Sequence, residues 1–262
     1  MLNLSELTDK VRALAIEAGD FIREERKKFH REAIEKKHAH DYVSYVDKES
    51  EKKIVTRLKE LLPEAGFIAE EGSGTLNDEQ YCWLVDPLDG TTNFIHDNAP
   101  YCVSIALRSK KELLLGVVYE ICRNECFWTY KGAPSYLNGN EIHVSAISNL
   151  DDSFIALGFP YATEEYKPMA NHLVNTLYGN VAGLRLMGAA AVELCYIAAG
   201  RFEARIEAFI GPWDIAAGTI ILQNAGGMIT DFKEGDSYSS GSQVLASNGR
   251  IHRDLLNIID NL

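Results

Sequence analysis

The chain has 262 residues, of which 46% are hydrophobic and 24% are charged, and this composition is that of an ordinary globular protein with a substantial core. Its formal net charge of −12 argues against non-specific binding to nucleic acid, which usually requires a basic surface. It also disfavours an anionic substrate unless a cation lies between protein and ligand. No apolar run approaches the roughly 18 residues of a membrane span, and the N-terminus lacks the pattern of a signal peptide.

The first half of the chain is predicted to form two helices and then a run of strands. Helical spacing of Leu7, Val11 and Leu14 predicts a helix over 4–28. A second helix is expected over 48–62, with Asp47 at its N-cap, and the polar stretch 29–41 between the two is expected to be a mobile loop or a hairpin. Short apolar runs predict strands at 66–69, 81–85, 101–107, 113–121 and 125–130.

The second half alternates between strands and helices. Strands are predicted at 153–158, 181–186, 202–208, 227–232 and 243–247. Helices are predicted at 163–178, 188–199, 213–225 and 249–260. A run of strands followed by alternation indicates a mixed α/β protein with two sheet regions. We expect one domain over 1–262, with sub-regions 1–148 and 149–262 that meet near the polar stretch 145–152.

The five cysteines predict neither a metal site nor a disulfide framework. Their number is odd, and Cys122 and Cys126 have no second pair of the spacing that zinc sites use. Reduced, mostly buried thiols are the expectation, and they fit a cytoplasmic protein.

The stretch WLVDPLDGTTNF (83–94) contains more acid and hydroxyl than a turn requires. Asp86 stands at the carboxyl end of a predicted strand, where open α/β sheets place their ligands, and Asp89 follows three residues later. Two close carboxylates repel each other unless one is protonated or a cation joins them, and such hard oxygen ligands suit Mg²⁺. Gly90, Thr91 and Thr92 are expected to open a helix whose free N–H groups bind an anion. The alternative is a structural Asp-Pro turn that caps a helix.

Two further acidic segments raise the same choice between function and structure. Glu70 and Glu71 end an apolar run, as Asp86 does, although adjacent glutamates are usually solvated. Asp214, in GPWDIAAG, stands where a helix N-cap belongs, and an N-cap aspartate is by itself ordinary.

In combination, these segments resemble the inositol monophosphatase family. The paired acids after a strand, DPLDGTTNF and WDIAAG occur in the family's order along nearly the whole chain. The resemblance implies a layered αβαβα sandwich, usually a homodimer, and a Mg²⁺-dependent, lithium-sensitive phosphatase. It also implies a small phosphorylated substrate. The negative net charge disfavours a nucleic-acid partner, and the lack of a long apolar run predicts no membrane partner.

The same resemblance assigns roles residue by residue. It makes Asp47 and Thr91 the catalytic pair that activates the attacking water. The metal ligands for two or three Mg²⁺ ions are Glu70, Asp86, the carbonyl of Leu88, Asp89 and Asp214. The substrate-binding positions are Gly90, Thr91, Ala190, Glu207 and Arg185.

Some positions depart from the family pattern or stay open. Ala189 stands where the family often has a serine or threonine, which leaves the identity of the sugar or polyol undetermined. Arg185 could bind a second phosphate or pair with an acid. Lys36 and Lys37 resemble a mobile lysine-bearing loop near a third metal, but a solvated charge run explains them equally. His38 and His40 are interpreted as surface residues.

The predicted function is hydrolysis of an inositol monophosphate by in-line attack of a water molecule that the metal activates. Alternative substrates are fructose-1,6-bisphosphate, NADP and 3′-phosphoadenosine 5′-phosphate. A different class of function is a regulatory member that binds RNA or a protein, and a third is an inactive structural homologue, against which the intact set of acids argues.

Overall fold

The computed structural model describes residues 2–30, 32, 34–38, 41–74, 79–110, 112–159 and 163–260. These residues form seven α-helices: α1 (Leu4–Arg26), α2 (Tyr45–Leu61), α3 (Thr91–Ile95), α4 (Thr163–Leu177), α5 (Ala190–Ala198), α6 (Pro212–Asn224) and α7 (His252–Ile259). They also form fourteen strands: β1 (Ile34–His38), β2 (Asp41–Ser44), β3 (Ala65–Ala69), β4 (Tyr81–Asp89), β5 (Cys102–Ser109), β6 (Glu112–Glu120), β7 (Glu125–Tyr130), β8 (Ser135–Leu137), β9 (Asn140–Ile142), β10 (Phe154–Gly158), β11 (Gly183–Arg185), β12 (Ala204–Ala208), β13 (Met228–Thr230) and β14 (Gln243–Ser247).

Every helix and strand predicted from periodicity has a counterpart within a few residues of its expected position. The stretch 29–41, expected as a loop or a hairpin, contains β1, which pairs antiparallel with β2. Lys36, Lys37 and His38 lie on β1, but their side chains and all of His40 fall outside the described part of the chain, so their roles stay predictions. The described cysteines are all free thiols, and only Cys122 is exposed among them.

The strands form two large mixed sheets. The first has the order β3-β4-β5-β6-β7-β8-β9, in which β3 and β4 are parallel and the others antiparallel. The second has the order β11-β10-β12-β14-β13, with β12 at its centre. The strands of the first sheet lie between residues 65 and 142, and those of the second between 154 and 247. Whether the chain divides functionally at 148 remains a prediction.

Three hydrophobic cores stack these sheets with the helices. The first core joins α1 and α2 to one face of the first sheet. The second buries α5 and α6 between the other face of that sheet and one face of the second sheet. The third joins the remaining face to α4 and α7. The order of layers is therefore αβαβα, as expected, because each sheet face and helix stripe must bury its apolar side against a neighbour.

Local sequence explains how the middle layer is built. Helices α5 (AAVELCYIA) and α6 (PWDIAAGTIILQN) are apolar almost all round, which is typical of helices covered on both sides. Gly116 of β6 lies against α6, and a Cβ atom there would meet the backbone of Ala217. None of the helices in the described residues is long and apolar enough to cross a membrane.

Candidate active site

The site begins where β3 and β4 end side by side. These strands are parallel and in register, with Ala69 beside Val85. The amide of Glu70 donates to the carbonyl of Val85 at 3.2 Å. The carboxyl ends of parallel strands meet at one edge of a sheet, so Glu70 comes to lie next to Asp86.

A β-bulge turns Asp86 and Asp89 toward the same side. The pairing with β5 runs Asp86 with Ser104 and Asp89 with Cys102, so β4 carries one extra residue there. On a regular strand, residues three apart face opposite sides, but one inserted residue restores a common direction. Pro87 lies within the bulge, where it needs no ladder N–H. The strand is therefore longer than predicted, and its irregularity creates the acid pair.

The helix expected after Asp89 is short. Helix α3 has only five residues and starts at Thr91, with Gly90 as its N-cap at φ 90°. A Cβ atom on Gly90 would come within 3.0 Å of the carbonyl oxygen of Pro100 and 3.3 Å of Ala189, so only glycine fits both the space and the left-handed backbone. An anion here would be held by individual N–H donors more than by a helix dipole, because so short a helix has little dipole.

Thr91 and Asp47 are in contact, although 44 residues separate them. The Thr91 hydroxyl lies 2.9 Å from Asp47 Oδ1 and 3.1 Å from the Leu88 carbonyl oxygen. The other oxygen of Asp47 accepts from the amide of Ser44 at 2.9 Å and from its hydroxyl at 2.6 Å. Ser44 is the N-cap of α2, and Asp47, expected at the cap, is the third residue of a capping box.

Asp89 links the first sheet to the middle layer. Its Oδ1 accepts from the amide of Ala190 at 3.1 Å and its Oδ2 from that of Ala191 at 2.8 Å. The thiol of Cys102 lies 3.6 Å from Oδ2. Because Ala189 and Ala190 offer no side-chain cap of their own, Asp89 satisfies the free N–H groups at the start of α5.

Asp214 plays the same part for α6. Its Oδ2 accepts from the amide of Gly211 at 2.8 Å. The N-cap is Gly211, and Asp214 is the third residue of the helix that follows, not the cap itself. The charge of Glu70 acts on both Asp86 and Asp214, and the carboxyl groups of Asp86 and Asp214 also act on each other. Three acids from three separate segments therefore meet.

These elements enclose a cleft of about 510 Å³. Its lining contains most of the predicted site residues: Glu70, Asp86, Leu88, Asp89, Gly90, Thr91, Ala190, Glu207 and Asp214. Asp47 is not on the wall itself but lies directly behind Thr91 and is 1% exposed.

Arg185 is the predicted residue that the structure places elsewhere. It is exposed on β11 and does not line the cleft. Its guanidinium lies 4.5 Å from the centre of the Phe154 ring and donates to the carbonyl of Leu184 at 2.8 Å. Neither of the expected partners, a second phosphate in the cleft or an acid, matches these contacts.

The buried acids perturb one another's protonation. Burial, and then the charges of Glu70, Asp89 and Asp214, raise the pKa of Asp86 well above its usual value. Burial, Glu70 and Asp89 raise the pKa of Asp214 to about 8. The pKa of Asp89 rises to about 6 through burial, opposed by the helix N–H groups. Burial also raises the pKa of Asp47, against the hydrogen bonds from Ser44 and Thr91.

The oxygen atoms that converge in the cleft are of the kind that binds a hard cation. The converging groups are the carboxylates of Glu70, Asp86 and Asp214, with the carbonyl of Leu88 on the same wall, and oxygen donors of this kind suit Mg²⁺. Within the described ranges, no group of three or more acid, histidine or cysteine side chains is already spaced to hold a metal ion. The oxygen donors of these residues fit a Mg²⁺ site in the cleft.

A charged group that was not predicted from the sequence lies at the floor of the cleft. Arg205 is 3% exposed and pairs with both Glu193 and Glu207. The alternation of Arg205 and Glu207 with apolar neighbours in the strand ARIEA was the available signal. Glu207, for which an outward-facing position was the alternative, lines the cleft.

The lining of the cleft also includes an exposed aromatic residue. Phe209 is 67% exposed and has a φ of 63°, a backbone region that bulky side chains rarely adopt. Leu186, 64% exposed, lies on the same rim. The cleft therefore has an acidic end and an apolar mouth.

Comparison with known proteins agrees with this architecture. The inositol monophosphatase from Anabaena (Nostoc) superimposes with a TM-score of 0.89 at 30% identity, and covers 100% of this chain and 98% of its own. The extragenic suppressor protein suhB from Bartonella henselae gives a TM-score of 0.88 at 33% identity, over 94% and 95% of the two chains. The Nus factor SuhB of Pasteurella multocida is 39% identical over 225 residues, which is 85% of this chain and 84% of that protein.

Fold and neighbours together define the class as a protein with the inositol monophosphatase fold. A family model described as "Inositol monophosphatase family" matches residues 3–261. The chain therefore belongs to the inositol monophosphatase family, whose members are Mg²⁺-dependent phosphatases.

Proposed function

We propose that this protein hydrolyses the phosphate monoester of a small polyol, with inositol monophosphate as the first substrate to test. The observation that carries the proposal is the hydrogen-bonded pair Thr91–Asp47 beside three converging acids in one cleft. Membership of the family supports the reaction class. The particular substrate is our own inference.

Two or three Mg²⁺ ions would be held by Glu70, Asp86, Asp89, Asp214 and the carbonyl of Leu88. Bound Mg²⁺ withdraws charge from phosphate oxygens and favours ionisation of water. Each carboxylate oxygen has two lone pairs, so Asp89 can keep its bonds to α5 and still face a cation. The ions also resolve the conflict between a net charge of −12 and an anionic substrate.

The catalytic pair, Thr91 and Asp47, orients the attacking water and accepts its proton. The Thr91 hydroxyl donates to Asp47, which leaves its oxygen lone pairs to accept from the attacking water. Asp47 then receives the proton through Thr91, and its raised pKa makes it a better base than an exposed aspartate. Ser44 fixes the other carboxylate oxygen, so the pair is pre-organised.

The phosphate would lie at the start of α3. Gly90 and Thr91 line the cleft, and their amides would supply N–H donors to the equatorial oxygens. Ala190 and Glu207 border the space beyond, where the alcohol portion of the substrate would lie. Arg185 is outside this space and is not part of the proposal.

The test is a Mg²⁺-dependent phosphate-release screen, with and without lithium. The substrates are inositol 1-phosphate, fructose-1,6-bisphosphate, NADP and 3′-phosphoadenosine 5′-phosphate. We expect release from inositol 1-phosphate that requires Mg²⁺ and is inhibited by lithium. No release from any of the four would overturn the proposal. Light scattering on the same sample checks the homodimer that we propose with it.

A second candidate is a regulatory role. It is favoured by the similarity to proteins named Nus factor SuhB, at 39% identity. In this role the protein would bind RNA or a protein partner, although its negative charge weakens the case for RNA. A gel-shift assay with RNA and a pull-down, each made with wild type and Thr91→Ala, separate the two functions. Binding that survives the loss of hydrolysis supports the regulatory role.

A further inference from the structure

A buried arginine lies at the floor of the cleft between two acids. The side chain of Arg205 is 3% exposed, that of Glu193 0% and that of Glu207 14%. The guanidinium pairs with both carboxylates. Burying three ionised groups has a desolvation cost that ion pairing often fails to repay. Such a cluster is therefore weak evidence for stability and raises the question of what it positions.

The ion pair between Arg205 and Glu207 fixes the position of the Glu207 side chain. Arg205 and Glu207 are two apart on β12, so both side chains leave the same face of the sheet, while Ala204, Ile206 and Ala208 belong to the core on the other face. Gly158 is the register partner of Glu207 on β10, and a Cβ atom there would fall on the Glu207 carboxylate. The carboxylate thus occupies a space left by a missing side chain, with Arg205 on its other side.

The other acid of the cluster, Glu193, contacts the loop between β11 and α5. Glu193 Oε1 accepts from the amides of Met187 at 3.1 Å and Gly188 at 3.2 Å, while its other oxygen faces Arg205. Asn93 of α3 donates to the carbonyl of Met187 at 2.7 Å. A chain of direct contacts therefore joins the predicted phosphate turn, the loop, α5 and the central strand of the second sheet.

We infer that Arg205 is a positioning residue that holds Glu207 as an oriented, charged acceptor for substrate hydroxyl groups. This inference rests on the proposed function. Two facing carboxylates would repel each other, and one guanidinium between them removes that repulsion. The guanidinium presents its donors in a rigid planar fork, whereas the lysine ammonium is a point charge on a flexible stem, so lysine would hold the two carboxylates in a less fixed geometry. Arg205 acts through Glu207 and does not itself touch the substrate.

The test compares two phosphate esters. Inositol 1-phosphate offers hydroxyl groups to Glu207, and 4-nitrophenyl phosphate offers none. In Arg205→Lys, we expect the ratio of kcat/KM for inositol 1-phosphate to that for 4-nitrophenyl phosphate to fall about tenfold, mainly through KM, because a charge-assisted hydrogen bond is misaligned. Glu207→Gln should lower the same ratio. In the double variant the ratio should be no lower than in Glu207→Gln alone, since the two residues act as one unit.

Thermal unfolding of each variant distinguishes a role of Arg205 in positioning Glu207 from a role in stability alone. An unchanged ratio in Arg205→Lys, with a lower Tm, would make Arg205 a structural brace and overturn the inference. If Arg205→Lys does not fold, Glu193→Gln removes one ion pair at constant volume and is measured in the same way, with the same expected loss of ratio. Release from neither ester by wild type overturns the proposed function and this inference together. Release from both with unchanged ratios in the variants overturns this inference alone.

Discussion

At the scale of single residues, the acids of the cleft have two sets of partners. Asp47, Asp89 and Asp214 each accept backbone N–H groups at the start of a helix, namely α2, α5 and α6. From the sequence, a cap and a functional acid are competing interpretations. In the structure they are compatible, because a carboxylate has about four lone-pair sites and a cap uses only some of them. The caps hold the acids still: Asp89 and Asp214 line the cleft, and Asp47 contacts Thr91 of its wall.

The Thr91 hydroxyl should matter for turnover more than for metal binding. We expect Thr91→Ala to lower kcat about 10²- to 10⁴-fold, the usual size of a lost acid–base contribution. The Mg²⁺ concentration for half-maximal activity should change little, since no proposed metal ligand is removed. Thr91→Ser, which keeps the hydroxyl, is the matched control and should retain most of the activity. A large rise in the Mg²⁺ requirement of Thr91→Ala would contradict the assignment.

At the scale of elements, the ends of helices and strands determine where the acids lie. The bulge in β4 brings Asp86 and Asp89 to one side. The loop after β3, which follows Glu70, is held by Glu51 of α2, which is 1% exposed and accepts from the amides of Glu71 at 2.7 Å and Ser73 at 2.9 Å. Helix α2 therefore positions two site residues at once, Asp47 within it and Glu70 beside it.

Replacing Glu51 tests this second contact. In Glu51→Gln, one acceptor oxygen becomes an amide group that faces a backbone donor, and a buried unsatisfied group costs about 1–3 kcal/mol. We expect the free energy of unfolding to fall by that amount in urea denaturation. Glu49→Gln, on the exposed side of the same helix, is the control and should stay within about 0.5 kcal/mol of wild type. Equal stability of the two variants would show that the loop is held by other contacts.

Helix α7 is joined to the second sheet by a buried histidine that makes stability depend on pH. His252, 3% exposed, lies 3.0 Å from the Thr230 hydroxyl on β13 and 2.9 Å from the Ser247 hydroxyl on β14. Burial lowers the pKa of His252 to about 4, against about 6.5 in an unfolded chain. Between these values the unfolded state binds the proton and the folded state does not, so stability falls as pH falls from 6.5 to 4.

We expect the wild type to lose stability in this window more steeply than His252→Gln, by less than about 1.4 kcal/mol per pH unit, the limit for one proton. The measurement is urea unfolding at several pH values between 7 and 4. His143→Gln removes an exposed histidine and should keep the wild-type slope. Identical slopes for wild type and His252→Gln would exclude His252 as a source of the pH dependence.

At the scale of the whole molecule, two sheets and the helices between them meet at one cleft. The first sheet contributes Asp86 and Asp89, the second contributes Glu207, and α6 of the middle layer contributes Asp214. A ligand in this cleft would contact both sheets. Its binding should therefore stabilise the fold as a whole, because it binds the folded state and not the unfolded chain.

Mg²⁺ should accordingly raise the thermal stability of the protein. At a Mg²⁺ concentration about a hundredfold above its Kd, linkage predicts a gain of about 2.7 kcal/mol. Glu70→Gln, which removes a proposed ligand, should show a smaller rise in Tm over the same titration. Glu71→Gln changes the adjacent acid, which does not line the cleft, and should respond as wild type does. No rise in Tm for wild type would contradict a Mg²⁺ site.

The sequence by itself determined the order and kind of the elements, since helical and strand periodicity depend on local burial, and these patterns agree with the αβαβα layers observed. It also identified Asp86, Asp89 and Thr91, because they lie within one short segment where spacing implies proximity. The resemblance to the family added Glu70 and Asp214, from other segments, to the predicted site, and both line the cleft.

Only the tertiary structure decided which distant groups touch. The family resemblance paired Asp47 with Thr91, but their contact depends on how α2 packs against α3. The contacts of Arg205 with Glu193 and Glu207 depend on strand order and register, and no local pattern encodes these. The same register placed Arg185 on an edge strand, away from the cleft. Local sequence specifies which side of a strand a residue occupies, but the packing of the layers decides what lies opposite it.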